Sequence, residues 1–538
     1  MKNTKRLCLL LALVLMFTFA LTACSGGTED GGGQNTQQPS GQETTQGGSD
    51  GGSAGSAGST DGGDKTLTVG TLMASDNFDP TTSSSNPTLS LVYDSILMRE
   101  PETGEVIGGL AESWEFNDDS TEMTLHFRDG VSFTNGEPVT AADALYSLKR
   151  FATNDQFYTD SGFDNIDFDR CTVDGNDLSL CLREATPLIV DQLADCKWAA
   201  VLCQSYVEAN PDSFWDAPVG SGPFILEANE AGSHYAFTRN DDYWQGPADF
   251  SEVTFYIYGD ATTMFIDFEN GDLDIANNVS ASDADRLIAG EVDAQYVRFN
   301  TNDINYLSLP WYTPELDDIR VREAISLSLD VEGITKSAFG SLAVAADSVA
   351  MPSLPYYVSQ GEHERNIDRA KELMAEAGYP DGGLSFNIVI FNMPEKQKQA
   401  EAIQACLREI GIELTIEAYD PPTAIPIYMQ MGTAVMLGGT GGGNYDIAKY
   451  LSDSAADASN QGAAVKDEQY NEWLRTARYS MDDSERAECY ANIQKWQAEN
   501  YRWIPLNYPV SYTAYQNDIH NVMAFDYRVL YIYNITKD

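Results

Sequence analysis

The sequence predicts a multidomain α/β protein, and three observations carry that expectation. The chain has 538 residues, more than one compact core holds when domains usually run to about 100 to 200. Its residues are 43% hydrophobic and 11% aromatic, enough to bury cores, which excludes global disorder. Strand and helix periodicities also alternate: a strand from Leu384 to Phe391, a helix from Glu395 to Ile410 and a strand from Ile412 to Ala418, separated by Asn392-Met393-Pro394 and Gly411. A helix joining two strands in this way is a βαβ unit, so the strands run parallel with a right-handed crossover.

Charge narrows the function classes. Lys and Arg number 32 against 82 Asp and Glu, a net charge of −50 with a pI of about 4.1. A nucleic-acid partner is excluded, because binding one needs a basic footprint that displaces counterions from phosphates. The excess of carboxylates reads as a solvated, self-repelling surface that maintains solubility.

The first residues do not belong to the fold. Lys2, Lys5 and Arg6 precede an apolar run from Leu7 to Leu21, broken only by Thr18, and Leu21-Thr22-Ala23-Cys24 follows. That is the charged region, apolar region and small-residue cleavage site of an export signal. The run is shorter than the roughly 18 apolar residues that span a bilayer, and no comparable run comes later. Leu21 to Cys24 resemble the bacterial lipobox, which implies that the Cys24 thiol receives a diacylglyceryl group and becomes the first residue of a membrane-held chain. Ser25 to Asp64 contains 14 Gly in 40 residues and no large apolar side chain. Such a segment is a flexible tether with a reach of about 35 Å.

Six further cysteines follow: Cys171, Cys181, Cys196, Cys203, Cys406 and Cys489. An even number outside the membrane permits disulfides. Cys171 and Cys181 flank Asp174-Gly175-Asn176-Asp177 across a hairpin turn, where either a bridge or two buried thiols fits. Cys196 and Cys203 are about 10 Å apart along a continuous helix, too far to bridge unless the chain bends between them.

Along the body, Leu67, Val69 and Leu72 alternate as in a half-buried strand. Two strands, Ser113 to Phe116 and Glu122 to Arg128, enclose the turn Asn117-Asp118-Asp119-Ser120. Thr140 caps a helix with Asp143 completing a capping box, and Ala141, Ala144, Leu145, Leu148 and Phe151 form its apolar face. Ile367, Ala370, Leu373, Met374 and Ala377 form another helical stripe, stopped by Gly378.

No residues suggest an enzyme. His126, His234, His363 and His520 are scattered without zinc-site spacing, the body has no GxSxG, and no GKS or GKT marks a phosphate loop. Asp267, Glu269, Asp272 and Asp274 miss the calcium-loop pattern and read as a surface turn before a strand. Neither a metal nor a cofactor is expected. Gly438-Gly439-Thr440-Gly441-Gly442-Gly443-Asn444 fails the dinucleotide pattern GxGxxG. Bare glycines let the backbone approach something closely, either a ligand or another part of the protein.

Several segments together resemble the large bacterial extracellular solute-binding proteins of the oligopeptide, dipeptide and nickel type, the receptors of ABC importers. They are Ala111 to Trp114, Thr124 to Asp143, Gly220-Ser221-Gly222-Pro223-Phe224, Tyr243-Trp244-Gln245-Gly246, Asp317 to Ala324, and Ala370 to Leu373 with Ala377-Gly378-Tyr379. They stand in the family's order over most of residues 65 to 538. The resemblance implies a two-lobed periplasmic-binding-protein-like fold with an extra smaller domain on the first lobe. It divides the chain into a lipoprotein signal peptide at 1–23, a lipidated Cys and flexible linker at 24–64, a first lobe at 65–108, 221–303 and 506–538, the extra domain at 109–220, and a second lobe at 304–505.

In peptide-binding relatives a glycine-tryptophan loop is followed by an aspartate that pairs with the ligand's amino group. Laid on that loop, this sequence has Gly439 at the tryptophan and Gly442 at the aspartate. Losing that acceptor costs several kcal/mol in a buried site, so either Asp446 supplies the charge or the ligand lacks a free amino terminus. The resemblance implies a monomeric receptor on the extracytoplasmic face of the membrane that hands a peptide, or another small solute such as a nickel complex or an oligosaccharide, to permease and ATPase subunits. Candidate ligand-lining residues are Tyr158, Tyr306, Gly439, Thr440, Asp446 and Tyr508. An extracytoplasmic peptidase, or a receptor acting without transport, is the reading from another class.

Overall fold

A strand of thirteen residues, Trp503–Tyr515, organises the molecule. Its first half pairs antiparallel with Ile304–Ser308 and Ala343–Ala345, and its second half with Ile275–Ala276 and Gln295–Asn300. The structure, a computed structural model, describes residues 65–73, 77–83, 86–153, 162–310, 312–429, 434–440, 467–526 and 529–538. Among them the long strand unites two half-sheets into one sheet of twelve strands.

On one side of the long strand lies the first lobe, with Ile275–Ala276, Thr66–Thr71, Glu252–Ile257, His234–Arg239 and Phe224–Glu230 in spatial order. Leu67 and Val69 are buried as their alternation requires, but the strand stops at Thr71 and leaves Leu72 exposed. The second lobe continues on the other side through Ile304–Ser308, Val435–Thr440, Leu384–Phe391 and Ile412–Tyr419. Leu384–Phe391 and Ile412–Tyr419 are parallel in register from Leu384 opposite Ile412 to Phe391 opposite Tyr419, with helix Pro394–Glu409 joining them. Ile388, Ile390, Ile403, Leu407, Ile412 and Leu414 interdigitate in that lobe's core, which is what a parallel sheet covered by helices demands.

A separate four-stranded antiparallel sheet forms the extra domain, in the order Ala111–Phe116, Glu122–Phe127, Asp177–Cys181, Thr172–Asp174. Helix Ala141–Phe151 packs on it, and its start is the capping box read from the sequence: the Thr140 hydroxyl accepts from the Asp143 N–H while the Asp143 carboxylate accepts from the Thr140 N–H at 3.0 Å. Cys171 and Cys181 are buried free thiols, the Cys181 N–H donating to Cys171 Sγ at 3.3 Å.

The extra domain also touches the second lobe. Glu184 pairs with Arg475, and the Thr186 hydroxyl donates to the Arg478 carbonyl at 2.7 Å, both partners lying on helix Glu468–Tyr479.

The motifs behind the resemblance are structural knots. Asp94, buried, accepts from Ser221 Oγ at 3.0 Å, Tyr243 OH at 2.9 Å and Trp244 Nε1 at 3.1 Å, so two motifs far apart in sequence meet on one carboxylate. Burial pushes its pKa up to about 6 against those three donors. Arg322, also buried, donates to the carbonyls of Asn500, Leu316 and Asp317.

The glycine run behaves differently from a loop over its first residues. Gly438 and Gly439 belong to strand Val435–Thr440, where Gly438 stands opposite Tyr306. A Cβ on Gly438 would lie 2.3 Å from the Tyr306 ring, which itself stacks on Trp503 at 4.0 Å. Gly438→Ala should therefore displace that ring pair and destabilise the protein by about 1–3 kcal/mol, the usual cost of overpacking. A lowered urea midpoint at unchanged slope is the expected reading; an unchanged midpoint would show that the ring moves freely.

Candidate functional site

Parallel strands of both lobes end at the same place. In the first lobe Thr66–Thr71 runs parallel to Glu252–Ile257 and Ile275–Ala276, and Ala276 lies opposite Ala514. The chain leaving that strand then moves along the long strand towards its middle, the Val279 N–H donating to the Tyr512 carbonyl. In the second lobe Val435–Thr440 is parallel to Leu384–Phe391 and places Thr440 opposite Ile304, one residue beyond the crossing segment 301–303. Carboxyl ends of parallel strands are where open α/β sheets bind ligands. Here two sets of them face the segment that joins the lobes.

The segment is polar and largely buried. Thr301 donates through its N–H and its hydroxyl to the Pro509 carbonyl. Thr513 Oγ1 donates to Asn277 Oδ1 at 2.7 Å, and Ser511 donates to Asn278. Asn305 Nδ2 donates to Asn507 Oδ1 at 2.8 Å, and Asn305 Oδ1 accepts from Lys396 Nζ at 2.5 Å. The Asn507 Nδ2 is buried without an acceptor among the described residues.

Lys396 is the unusual member. It lies in the first turn of helix Pro394–Glu409, directly after the carboxyl end of Leu384–Phe391. Burial pulls its ammonium down to about 8, with Glu395 and Asp303 opposing the shift from a distance, and it forms no ion pair with a described carboxylate. A Cβ built on Gly439 would stand 3.6 Å from Nζ and 3.0 Å from Asn305 Oδ1, so a side chain there would press against both groups.

The residues named from sequence fall in different places. Gly439 is exposed at the end of its strand, and the backbone of Thr440 pairs with Ile304. Tyr306 is buried, stacked on Trp503. Tyr508 is buried too, its hydroxyl donating to the Ser348 carbonyl at 2.7 Å and accepting from the Ser348 N–H at 2.9 Å. The structure thus brings Tyr306 and Gly439 to one pair of strands and sets Tyr508 among the loop residues 347–348. Tyr158, Asp446 and Cys24 lie outside the described residues, as does the helix expected over Ile447 to Leu451. Among the described residues no group of three His, Cys, Asp or Glu side chains has metal-binding geometry, and no helix is long and apolar enough to cross a membrane.

Residues 105–462 match the family described as bacterial extracellular solute-binding proteins, family 5 middle. The chain belongs to that family. Among family-5 relatives and their kin, the nickel-binding periplasmic protein of Escherichia coli K12 is 25% identical over 445 residues, covering 78% of this chain and 84% of that protein. The dipeptide-binding protein of the same organism is 24% identical over 478 residues, 80% of this chain and 86% of its own length. The solved structure of HbpA2 from Haemophilus parasuis superposes with a TM-score of 0.80 at 22% identity, over 88% of this chain and all of the other. The two-lobed α/β fold with its smaller added domain is that of this family 5 protein.

Sequence reasoning missed Lys396 and Asn305. Glu395-Lys396-Gln397-Lys398 reads as an ordinary solvated helix start. The available signal was position: a cation in the first turn of a helix opposes the helix dipole, and this first turn follows the carboxyl end of a parallel strand.

The shifted ammonium has a consequence for stability. The unfolded chain holds the Lys396 proton up to its ordinary pKa of 10.5, whereas the folded protein releases it above about 8. Between those values the unfolded state binds more protons, so stability rises with pH; below about 8 the folded state carries the full penalty. Lys396→Met should raise the urea midpoint at pH 7, and the difference from the parent should shrink as pH approaches 10. An equal or lower midpoint at pH 7 would mean that the ammonium is stabilising where it sits.

Proposed function

We propose that this family 5 protein is the solute receptor of an ABC importer and that its cargo is a peptide. The observation that carries the reading is the convergence of parallel-strand ends from two lobes on one polar segment, bridged by a single long strand. A solute held there touches both lobes, and its binding draws them together. The dipeptide-binding relative supports peptide cargo. Extended peptides are held through their backbones, with side chains in wet pockets, which gives affinity with little sequence selectivity.

In this proposal Gly439 and Thr440 offer backbone to the cargo, and Asp446 pairs with a peptide amine. Tyr158 lines the opposite wall, while Tyr306 and Tyr508 hold the second lobe's surface from beneath. The first lobe takes residues 65–108, 221–303 and 506–538, the extra domain 109–220 and the second lobe 304–505, with the pivot at 301–303 and near Asn507 to Val510. The chain works as a monomer held to the extracytoplasmic membrane face by lipid on Cys24, delivering solute to permease and ATPase subunits without catalysing a reaction. A non-peptide solute, such as a nickel complex or an oligosaccharide, is the second reading. It is favoured by Gly439 and Gly442 standing where the resemblance implies Trp and Asp, and by the nickel-binding relative.

Cargo that binds only the folded protein should stabilise it by about 2.7 kcal/mol at 100 times its dissociation constant, read as a raised melting temperature. Scattering should show a smaller radius of gyration in the bound form; a tight ligand that leaves the radius unchanged would end the closure reading. Closure should also depend weakly on the contact between Glu184 and Arg475. Arg475→Glu is expected to lower cargo affinity about two- to fivefold, the scale of an exposed ion pair, and no change would place that pair outside the closing motion. Cys24→Ala should move the protein from the membrane to the soluble fraction with its melting temperature intact, and equal retention of both forms would remove the lipid anchor.

A further inference from the structure

We propose that a cavity between the first lobe and the extra domain is a second small-molecule site, separate from the joint of the lobes, and that it takes an organic monocation with an apolar body, an arylalkylamine in size and chemistry, against Asp94. The cavity measures about 260 Å³. Helix Leu89–Val92, strand Leu97–Arg99, the terminal segment 530–534 and residues 194–197 enclose it. Leu89, Leu91, Leu530 and Ile532 belong to the core of the first lobe, and Ala194 to the core beneath the four-stranded sheet, so both bodies supply walls. An apolar cavity of about 150 Å³ already admits benzene, and this one has room for a ring with a short chain. A concave apolar space with a few convergent polar groups is what binds small molecules.

Asp94, on the lining, selects the charge of the ligand. It is 5% exposed, its three donors Ser221, Tyr243 and Trp244 are all neutral, and it makes no ion pair with a described cation. Burial raises its pKa to about 6, so at pH 7 the carboxylate is mostly ionised and its charge lacks a described counter-ion. The other charged groups of the lining are engaged. Arg99 pairs with Asp191 at 2.7 Å and donates to the Gly104 carbonyl at 2.9 Å, and Lys197 Nζ lies 4.3 Å from the centre of the Trp198 ring. Asp195 caps its helix by accepting from the Lys197 N–H at 2.9 Å. Tyr93, Tyr243, Tyr531 and Tyr533 line the same space, with Tyr243 and Tyr533 edge to face at 5.1 Å. Tyrosine rings beside a desolvated carboxylate favour an organic cation, which gains from both. A metal ion would give up its water for a single carboxylate, since no group of three His, Cys, Asp or Glu among the described residues could hold one. An anion would meet Asp94 unpaired, and a surface of net charge −50 draws cations towards the protein.

The test uses the full chain with phenethylamine, its neutral counterpart phenethyl alcohol and the anion phenylacetate. Calorimetry should show the amine binding about tenfold or more tighter than the alcohol, the scale of one hydrogen bond to a charged group, and no binding of phenylacetate. Crystals soaked with para-bromophenethylamine should give an anomalous bromine peak among Leu91, Met98 and Ile532. Met98→Trp changes a half-buried lining residue that takes no part in the hydrogen bonds of Asp94; it should fill the space and abolish binding while the melting temperature is kept. Asp94→Asn should erase the preference for amine over alcohol. Because Asp94 also ties Ser221, Tyr243 and Trp244 together, Met98→Trp and the bromine position carry the test if that variant does not fold. No binding of phenethylamine, equal affinity for amine and alcohol, unchanged affinity in Met98→Trp, or a bromine peak at the joint of the lobes would each overturn the proposal. None of these outcomes touches the receptor reading, which concerns the joint and not this cavity.

Discussion

Because Trp503–Tyr515 is bonded to one lobe along its first half and to the other along its second, neither lobe can rotate without straining that ladder. The strain falls where the ladder is thinnest. Pro505 and Pro509 lie within the strand and have no N–H to donate. Pro505 sits at the register shift between Asn305 and Tyr306, and Pro509 stands opposite Ala343 while its carbonyl takes both donors of Thr301. The two prolines remove two backbone donors close to the crossing, while Pro509 and Val510 remain paired with Ala343 and Asn300.

The same ladder explains why the candidate site is where it is. Both lobes attach their parallel strands to the joint with carboxyl ends inward, so loops and helix starts collect there. Side chains in such a place are removed from bulk water without being packed into a core, which is the condition under which Asn305, Asn507 and Lys396 form a relay. Tyr306 stacked on Trp503 forms the apolar support beneath, and Gly438 is required because that ring occupies the space a Cβ would need.

Much of the fold was legible in the sequence because the residues that identify the family are the ones that hold it together. Ser221, Tyr243 and Trp244 converge on Asp94, and Arg322 gathers three carbonyls; residues with such duties are constrained in type and spacing, which is what makes them readable as motifs. The capping box at Thr140 and the βαβ unit from Leu384 to Tyr419 were legible for a different reason, since each depends on residues adjacent in sequence. The site was less legible. Tyr306 and Tyr508 were singled out as ligand-lining residues and both rings are buried, since an aromatic side chain near a strand end has no sequence mark separating a ligand surface from a core. Lys396 was passed over because its partner Asn305 is far from it along the chain and close only in the folded protein.

Charge brings the two scales together. A surface of net charge −50 sets a field that is diffuse and screened, and it acts on solubility and on the rate of encounter more than on selection. Selection needs a group whose charge is costly to leave unpaired, because only then does the right ligand gain what the wrong one cannot. Lys396 is such a group: burial pulls its pKa down to about 8, and the Glu395 and Asp303 carboxylates offset only part of that shift. A solvated lysine elsewhere on the same helix, such as Lys398, would attract anions as readily at long range and discriminate among them far less.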